Sequence, residues 1–493
     1  MEVAARASSE SIERSGPVGR PARVSAQRNF GALSTTYGPA VVLPQFALAL
    51  PARKRRRWAK SMVRSFRRAA RAYATRIVYR VAGLPIAVRA LKHPPRHSPG
   101  KLVRSAYRTH YWKPQSSGQL VELLLGLVLS PFLVIGMMLW FTGRNGNTIR
   151  KQAKRSIAAQ LADQAWLYVK AGVLPPWYYI YELHCHPVKR EARSFIHRCE
   201  CKNGVPGLLK HIRPPRSELT DKALFARWCE ERGIPAVPVL AVVREDGVDG
   251  VRSLDQLALD LFVKPVNGKG GRGARRWDYL GDGRYRSSDG RELDAIGMLI
   301  SIAGESWSGP RLIQPRIRNH PDLAPLNNGA LATVRALTCL DESGKPELLG
   351  AVLRMAIGDN HVVDNLHAGG IAAAVDLDTG RLGLASNLGM DCSFGWLARH
   401  PGSGAQIEGF RLPYWDEFRA FTERAHSAFA DRVIIGWDVA ITPQGLILVE
   451  GNGAPDLDIM QRAYRRGWMT DRLGQLLGHH VVQYGCVDLS RAA

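Results

Sequence analysis

Three oxygen-bearing side chains, Asp438, Glu450 and Asn452, stand near the ends of two apolar runs in the stretch VIIGWDVAITPQGLILVEGNGAPDLDIMQ, residues 433–461. Between the runs lies Pro443-Gln444-Gly445, the composition of a three-residue hairpin loop with Gly445 in the left-handed position. Pairing Thr442 with Leu446 gives partners whose numbers sum to 888, which sets Asp438 opposite Glu450. Directly opposed residues share a face, with Cβ atoms about 5 Å apart, and Asn452, two residues on, points the same way. Two carboxylates that close repel unless a cation lies between them. Two carboxylates and an amide oxygen suit Mg²⁺, a hard ion held by a few carboxylates together with substrate phosphates. Read alone, the stretch is also compatible with an acidic hairpin solvated at a surface.

A second group of residues suits phosphate. Lys264 ends an apolar run, Leu261-Phe262-Val263-Lys264-Pro265, and is followed by Val266-Asn267-Gly268-Lys269-Gly270-Gly271-Arg272-Gly273. Glycines at that density let successive amides point into one concavity, with Lys269 and Arg272 supplying charge. A Walker A loop is excluded, because Gly270 rather than Ser or Thr follows Lys269, so metal ligation must come from elsewhere in the chain. Lys222 opens a short helix that Thr220 caps and Gly233 ends, with Leu224, Phe225, Trp228 and Cys229 on its buried face. A cation in the first turn is unfavourable against the helix dipole, so Lys222 is either surface or reaching for an anion. Gln314-Pro315-Arg316-Ile317 closes a short strand at a proline-marked bend suited to a hinge between lobes. Arg335 and Arg354 sit in further strands, and Asp364-Asn365-Leu366-His367-Ala368-Gly369-Gly370 is a second polar, glycine-bearing loop.

In this order the signals resemble the ATP-grasp superfamily, and within it the sugar-transfer-associated ATP-grasp family, over about residues 215–465. The resemblance rests on Asp221-Lys222, Val263-Lys264-Pro265 with its glycine loop, QPRIRNHPD at 314–322 and Thr333-Val334-Arg335. It continues through Asp364-Asn365 with Gly369-Gly370, and Gly436-Trp437-Asp438 through Glu450-Gly451-Asn452. It implies an α+β fold of two lobes gripping ATP between antiparallel sheets. By position it implies Lys222 and Lys264 as nucleotide-binding lysines, and Gln314, Pro315, Arg316 and Ile317 as the adenine hinge. Asn267, Gly268, Lys269, Gly270 and Gly271 match the phosphate lid. Arg335, Arg354 and Asn365 match the residues at the transferred phosphate, and Asp438, Glu450 and Asn452 the Mg²⁺ ligands. Two departures touch the substrate side: no Rossmann-like domain precedes the grasp, and Asp456 stands where peptide ligases usually carry Gly.

The elements around this core divide the 493-residue chain unevenly. The net charge of +25 is concentrated near the start, where no Asp or Glu occurs between Glu13 and Glu122 while residues 51–113 hold 19 Lys or Arg. Residues 1–50 read as a disordered tail without the apolar core of a signal peptide. Residues 51–113 read as a basic helical arm, with Trp58, Met62, Phe66, Ala70, Tyr73, Ile77 and Val81 along one stripe. Such an arm suits a polyanion, either an acidic membrane surface or a nucleic acid. Residues 114–148 form a membrane segment around an uncharged run at 123–141. Ser130-Pro131 at its midpoint resembles the re-entrant hairpin of bacterial phosphoglycosyl transferases, and spanning is the alternative. Residues 149–216 read as a helical pre-grasp region, 217–312 as lobe A and 313–493 as lobe B. Seven scattered cysteines suit a reducing compartment, and His184, Cys185, His186, His197, Cys199 and Cys201 lack the paired spacing of a zinc module.

The expected activity is an ATP-dependent carboxylate–amine ligase at the cytoplasmic face of a membrane, serving polysaccharide or cell-envelope synthesis. Two alternatives stay open at this level: a kinase of the same fold acting on a hydroxyl, and a membrane-tethered nucleotide-binding protein without turnover.

Overall fold

A computed structural model describes residues 73–88, 99–114, 116–202, 205, 207, 209, 216–251, 253–267, 273–306, 309–358, 361, 362, 364, 366 and 369–487. The expected tail, the part of the basic stripe from Trp58 to Ala70, Gly268–Gly271 with Lys269, Asn365 and His367 lie outside these residues.

Two antiparallel sheets carry the molecule's centre. In chain order the strands of the first are β1 (Ala241–Val243), β2 (Val248–Asp249), β3 (Leu261–Pro265), β4 (Arg275–Gly281), β5 (Arg284–Ser287), β6 (Glu292–Asp294) and β7 (Arg311–Pro315). They lie side by side as β2-β1-β7-β3-β4-β5-β6, so the last strand inserts between β1 and β3. Alternation along these strands separates two faces. Leu261, Val263, Trp277, Tyr285 and Ile313 pack with Met298, Leu299 and Ile302 of a helix at Ala295–Glu305. Lys264 and Gln314 belong to the other face.

The second sheet contains β8 (Thr333–Leu340), β9 (Pro346–Met355), β10 (Ile371–Val375), β11 (Leu382–Ser386), β12 (Ile434–Thr442) and β13 (Gly445–Asn452), in the order β11-β10-β9-β8-β12-β13. Every residue of β12 is buried, because helices cover both faces of this sheet. On one face Ile435, Trp437 and Val439 meet Phe418, Phe421 and Ala425 of the helix Trp415–Ser427. On the other, Ile434, Leu337 and Cys339 meet Val103 and Ala106 of Pro99–Tyr111 and Leu473, Leu476 and Leu477 of Arg472–Gln483. Part of the expected N-terminal arm, residues 99–111, is thus built into the second sheet's core.

Segment 235–240 ties the sheets together. The amide of Leu448 donates to the Pro235 carbonyl, Val237 returns a bond to Leu448 O, and the Leu240 amide donates to Ile313 O, each at 2.9 Å.

The hairpin at 442–445 differs from expectation in its turn. Thr442 pairs with Gly445, whose φ is +114°, leaving a two-residue loop of Pro443-Gln444 and partner sums of 887. The register shifts between Val439↔Leu448 and Asp438↔Glu450, so Val449 is an extra residue on β13. A slip of one residue moves side chains to the opposite face. The extra residue therefore restores Glu450 to its place opposite Asp438.

The helix expected to start after Thr220 begins instead at an Asp221 cap, whose carboxylate accepts from the amides of Ala223 and Leu224 at 2.9 and 3.0 Å. Leu224 is exposed and Ala226 buried on it. The apolar segment is one continuous helix, Ser117–Ala153, running through Pro131 without the expected hairpin. Ser130 Oγ bonds the Tyr168 hydroxyl at 2.6 Å, so it anchors the helix to its neighbour.

Behind the site strand, Thr338 joins two buried rings. Trp437 Nε1 donates to Thr338 Oγ1 at 2.8 Å, and His426 Nδ1 lies 2.7 Å from the same oxygen while its Nε2 donates to Arg432 O at 2.8 Å. Thr338→Val keeps the volume but leaves two buried ring nitrogens unpaired, a loss of about 2–6 kcal/mol at roughly 1–3 each. A thermal melt should show a clear drop in Tm; an unchanged Tm would mean the hydroxyl does not hold this strand.

Candidate active site

The site is a row across three strands. Arg335 on β8 is the direct partner of Asp438 on β12, which is the direct partner of Glu450 on β13. Arg335 Nε donates to Asp438 Oδ1, and Arg354 Nη2 donates to Asp438 Oδ2 at 3.0 Å. Arg354 reaches this point from β9, where it pairs with Thr333. Its guanidinium also bonds Thr333 Oγ1 and lies 3.4 Å from Asp364 Oδ1. Asp364 Oδ2 in turn accepts from the amide and hydroxyl of Thr333, the former at 2.9 Å. Gly436, two residues before Asp438, has Pro455 packed where a side chain would start, with a Cβ there only 2.7 Å from Pro455 Cβ. The loop leaving β13 thus folds tightly under the row.

Burial by itself would raise the Asp438 pKa, but Arg335 and Arg354 outweigh it and hold the carboxyl well below its usual range. Burial raises the Asp364 pKa, with Arg354 opposing and Asp438 reinforcing. Glu450 lies within hydrogen-bonding reach of Asp438, and Asn452 Nδ2 is 3.5 Å from Glu450 Oε1. Two carboxyls in contact beside an amide fit a divalent ion of the hard, oxygen-seeking kind, since each carboxylate oxygen keeps a lone pair beyond the one an arginine takes.

Lys264 faces this row from the first sheet. It is buried, and its pKa is pushed down to about 8 by that burial, with Lys222 adding to the shift and Glu450 and Asp438 opposing it. Lys222 Nζ reaches back from its helix to Val266 O at 3.4 Å. Beside the two lysines lies an apolar patch of Val242, Val266 and Leu312, with Ala223 and Val239 against it. Four cations (Lys222, Lys264, Arg335, Arg354) therefore meet three carboxyls (Asp364, Asp438, Glu450) in one cleft between the sheets.

The structure brings together Lys222, Lys264, Arg335, Arg354, Asp438, Glu450 and Asn452, while Asn267 is exposed at the start of the glycine loop. The hinge residues differ from the expected role in part. Gln314 is buried and spends its side-chain amide on Val237 O at 3.0 Å, so it locks the inter-sheet segment rather than presenting that amide to a ligand. The Arg316 amide donates to Asp260 O and its guanidinium to Asp278, at 2.8 and 2.9 Å. Pro315 and Ile317 flank these bonds and are half-buried. Thr333 and Asp364 stood in the motifs without an assigned role and prove to orient Arg354, whereas Val242 of the apolar patch was not singled out. Thr333 was visible in principle, since it stands two residues before Arg335 on the same strand face.

Two antiparallel sheets, with Lys264 on one and an acidic–arginine row on the other and Lys222 reaching in from a neighbouring helix, define an ATP-grasp protein. The chain belongs to the sugar-transfer associated ATP-grasp family, whose model matches residues 212–475. Among solved structures it is similar to a biotin carboxylase–ATP complex from Campylobacter jejuni at 12% identity, covering 53% of this chain and 46% of that one, TM-score 0.32. It is also similar to D-alanyl-alanine synthetase A from Vibrio cholerae (11% identity, 54% and 65% covered, TM-score 0.33). A third is the VanG D-Ala:D-Ser ligase from Enterococcus faecalis (12% identity, 54% and 61% covered, TM-score 0.31). The chain spans about half the length of the first of these, and less than two thirds of the other two. No curated protein sequence matches it.

The Lys264 amine sets a pH dependence. Below about 8 it is protonated in the free protein and attracts phosphate; above that it loses its charge. Affinity for ATP should fall as pH rises from about 7 to 9, by about tenfold for one charge-assisted contact. Calorimetric titration across that range checks it. Lys264→Arg should remove the inflection, because a guanidinium stays charged; a flat wild-type profile would show that Lys264 does not meet the nucleotide.

Proposed function

We propose that the protein is an ATP- and Mg²⁺-dependent ligase joining a carboxylate to an amine, at the cytoplasmic face of a membrane and in polysaccharide or cell-envelope assembly. The observation that carries this reading is the Arg335–Asp438–Glu450 row facing a buried Lys264. The family assignment supports it, as the ATP-grasp superfamily includes carboxylate–amine ligases.

Asp438, Glu450 and Asn452 would hold Mg²⁺, which when bound offsets charge on the phosphate oxygens. Lys222 and Lys264 bind and orient the phosphates, and the apolar patch around Val242 and Leu312 receives the base beside the 314–317 bend. A carboxylate oxygen of the substrate attacks the γ-phosphorus, and the bond from that phosphorus to the β,γ-bridging oxygen breaks. ADP leaves with the electron pair. Arg335 and Arg354, already fixed by Asp438 and Thr333, stabilise negative charge on the phosphoryl oxygens in flight. The amine then attacks the acyl carbon, phosphate departs, and the nitrogen gives up one proton. The protein's contribution is mainly positioning and charge.

On the substrate side, the loop after Asn452 runs into the helical pre-grasp region. Asp456 pairs with Arg198 at 3.1 Å, and Asp458 accepts from Trp177 Nε1 and the Tyr181 hydroxyl at 3.0 and 2.7 Å. We propose that the acceptor approaches the row from the side of this junction.

Glu450→Gln should lower Mg²⁺-dependent ATP turnover by about a hundredfold or more, the scale of losing charge stabilisation in a transition state; normal turnover would refute the metal assignment. Hydroxylamine added to turnover with candidate sugar acids and amino acids should yield a hydroxamate. Phosphorylated sugar without hydroxamate would replace the ligase with a hydroxyl kinase.

A further inference from the structure

The helix Ser117–Ala153 has two unlike sides. Glu122, Gly126, Ser130 and Val134 are buried against the protein. Leu124, Val128, Phe132, Ile135, Leu139 and Trp140 face out, with Phe132 and Trp140 more than 70% exposed. Their spacings of mostly three and four place them along one helix face. On the neighbouring helix Ile157–Ala171, Trp166 and Val169 are exposed as well.

Charge frames this apolar face. Arg144, Arg150, Lys151 and Lys154 are exposed at its C-terminal end, where only Arg144 has an acidic partner among the described residues, Asp391 at 3.7 Å. At the other end Arg76 is exposed and pairs with Glu122 at 2.9 Å, the first acidic residue after a long basic stretch.

The contacts on the buried side argue against a spanning arrangement. Near the start of the apolar run, a Cβ on Gly126 would sit 2.7 Å from Arg80 Cβ, and Arg80 Nη1 donates to Tyr111 O at 2.9 Å. Ser130 is tied to Tyr168, and further along Gln164 and Tyr179 bond Thr142 at 2.8 and 3.0 Å. Carrying this helix across a bilayer would take an arginine and several polar partners into hydrocarbon, which is costly.

We propose that this helix is an in-plane docking surface for a bilayer rich in acidic lipid. Its outer face sinks into the headgroup–acyl boundary, its basic ends meet lipid phosphates, and the rest of the described chain stays on one side of the membrane. This does not depend on the ligase reading.

The full chain should float with vesicles of phosphatidylglycerol and phosphatidylethanolamine, and much less with phosphatidylcholine alone. Phe132→Glu with Leu139→Glu, both on the exposed face, should lower flotation about tenfold or more while leaving the thermal melt unchanged. Arg150→Glu with Lys151→Glu should selectively weaken binding to the acidic vesicles. In sealed inverted vesicles from expressing cells, tags at both termini should be digested together. Termini on opposite sides would establish a span and overturn the proposal. So would failure of the wild type to float, flotation unaffected by both double variants, or a wild-type dimer that Phe132→Glu with Leu139→Glu converts to monomer, since that face would then belong to a second copy.

Discussion

The carboxylate of Asp438, gripped by a guanidinium on each oxygen, is the interaction on which the rest of the site depends. It aligns Arg335 and Arg354, and it adjoins Glu450 across the hairpin. Without a ligand the row is a buried ion network with cations in excess once Lys222 and Lys264 are counted. A bare divalent ion would meet those cations at close range. A polyphosphate carrying its own metal would satisfy both signs at once, because its oxygens take the lysines and arginines while the metal takes the carboxylates. The site is therefore complementary to the pair of ligands, more than to either one.

Much of this was legible in residue order, though sometimes for a mistaken reason. Asp438 opposite Glu450 followed from a three-residue turn; the molecule reaches the same pairing through a two-residue turn and an extra residue at Val449. The two departures cancel. Nothing in a β-branched Val marks a bulge, so only the need to face both carboxylates into one cleft could have suggested it. Gln314 illustrates the reverse. Its place beside a proline bend was right, but its side chain serves the 235–240 crossing, a contact 77 residues away in sequence. The insertion of β7 between β1 and β3 is equally non-local and carries no pattern along the chain.

The apolar segment shows how packing overrides a local signal. Proline in a helix removes a donor and favours a bend, which supported a hairpin at Ser130-Pro131. The helix nevertheless runs on from Ser117 to Ala153, clamped on one side by residues 73–88 and by Tyr168. Composition made the run visible as apolar; its two-sidedness comes only from the neighbours it packs against. A buried polar seam then joins this helical part to the strand that ends at Asn452, through Asp458, Gln461 and Arg462. The acidic–arginine row and the helical region are thus held in one piece.

The most direct test of the account is the binding of Mn²⁺, as a paramagnetic stand-in for Mg²⁺, followed by electron paramagnetic resonance with and without a non-hydrolysable ATP analogue. The predicted result is free Mn²⁺ with protein alone, one bound ion per chain when the analogue is added, and loss of that site in Asp438→Asn. Tight Mn²⁺ binding without nucleotide, or a bound ion indifferent to Asp438→Asn, would contradict it.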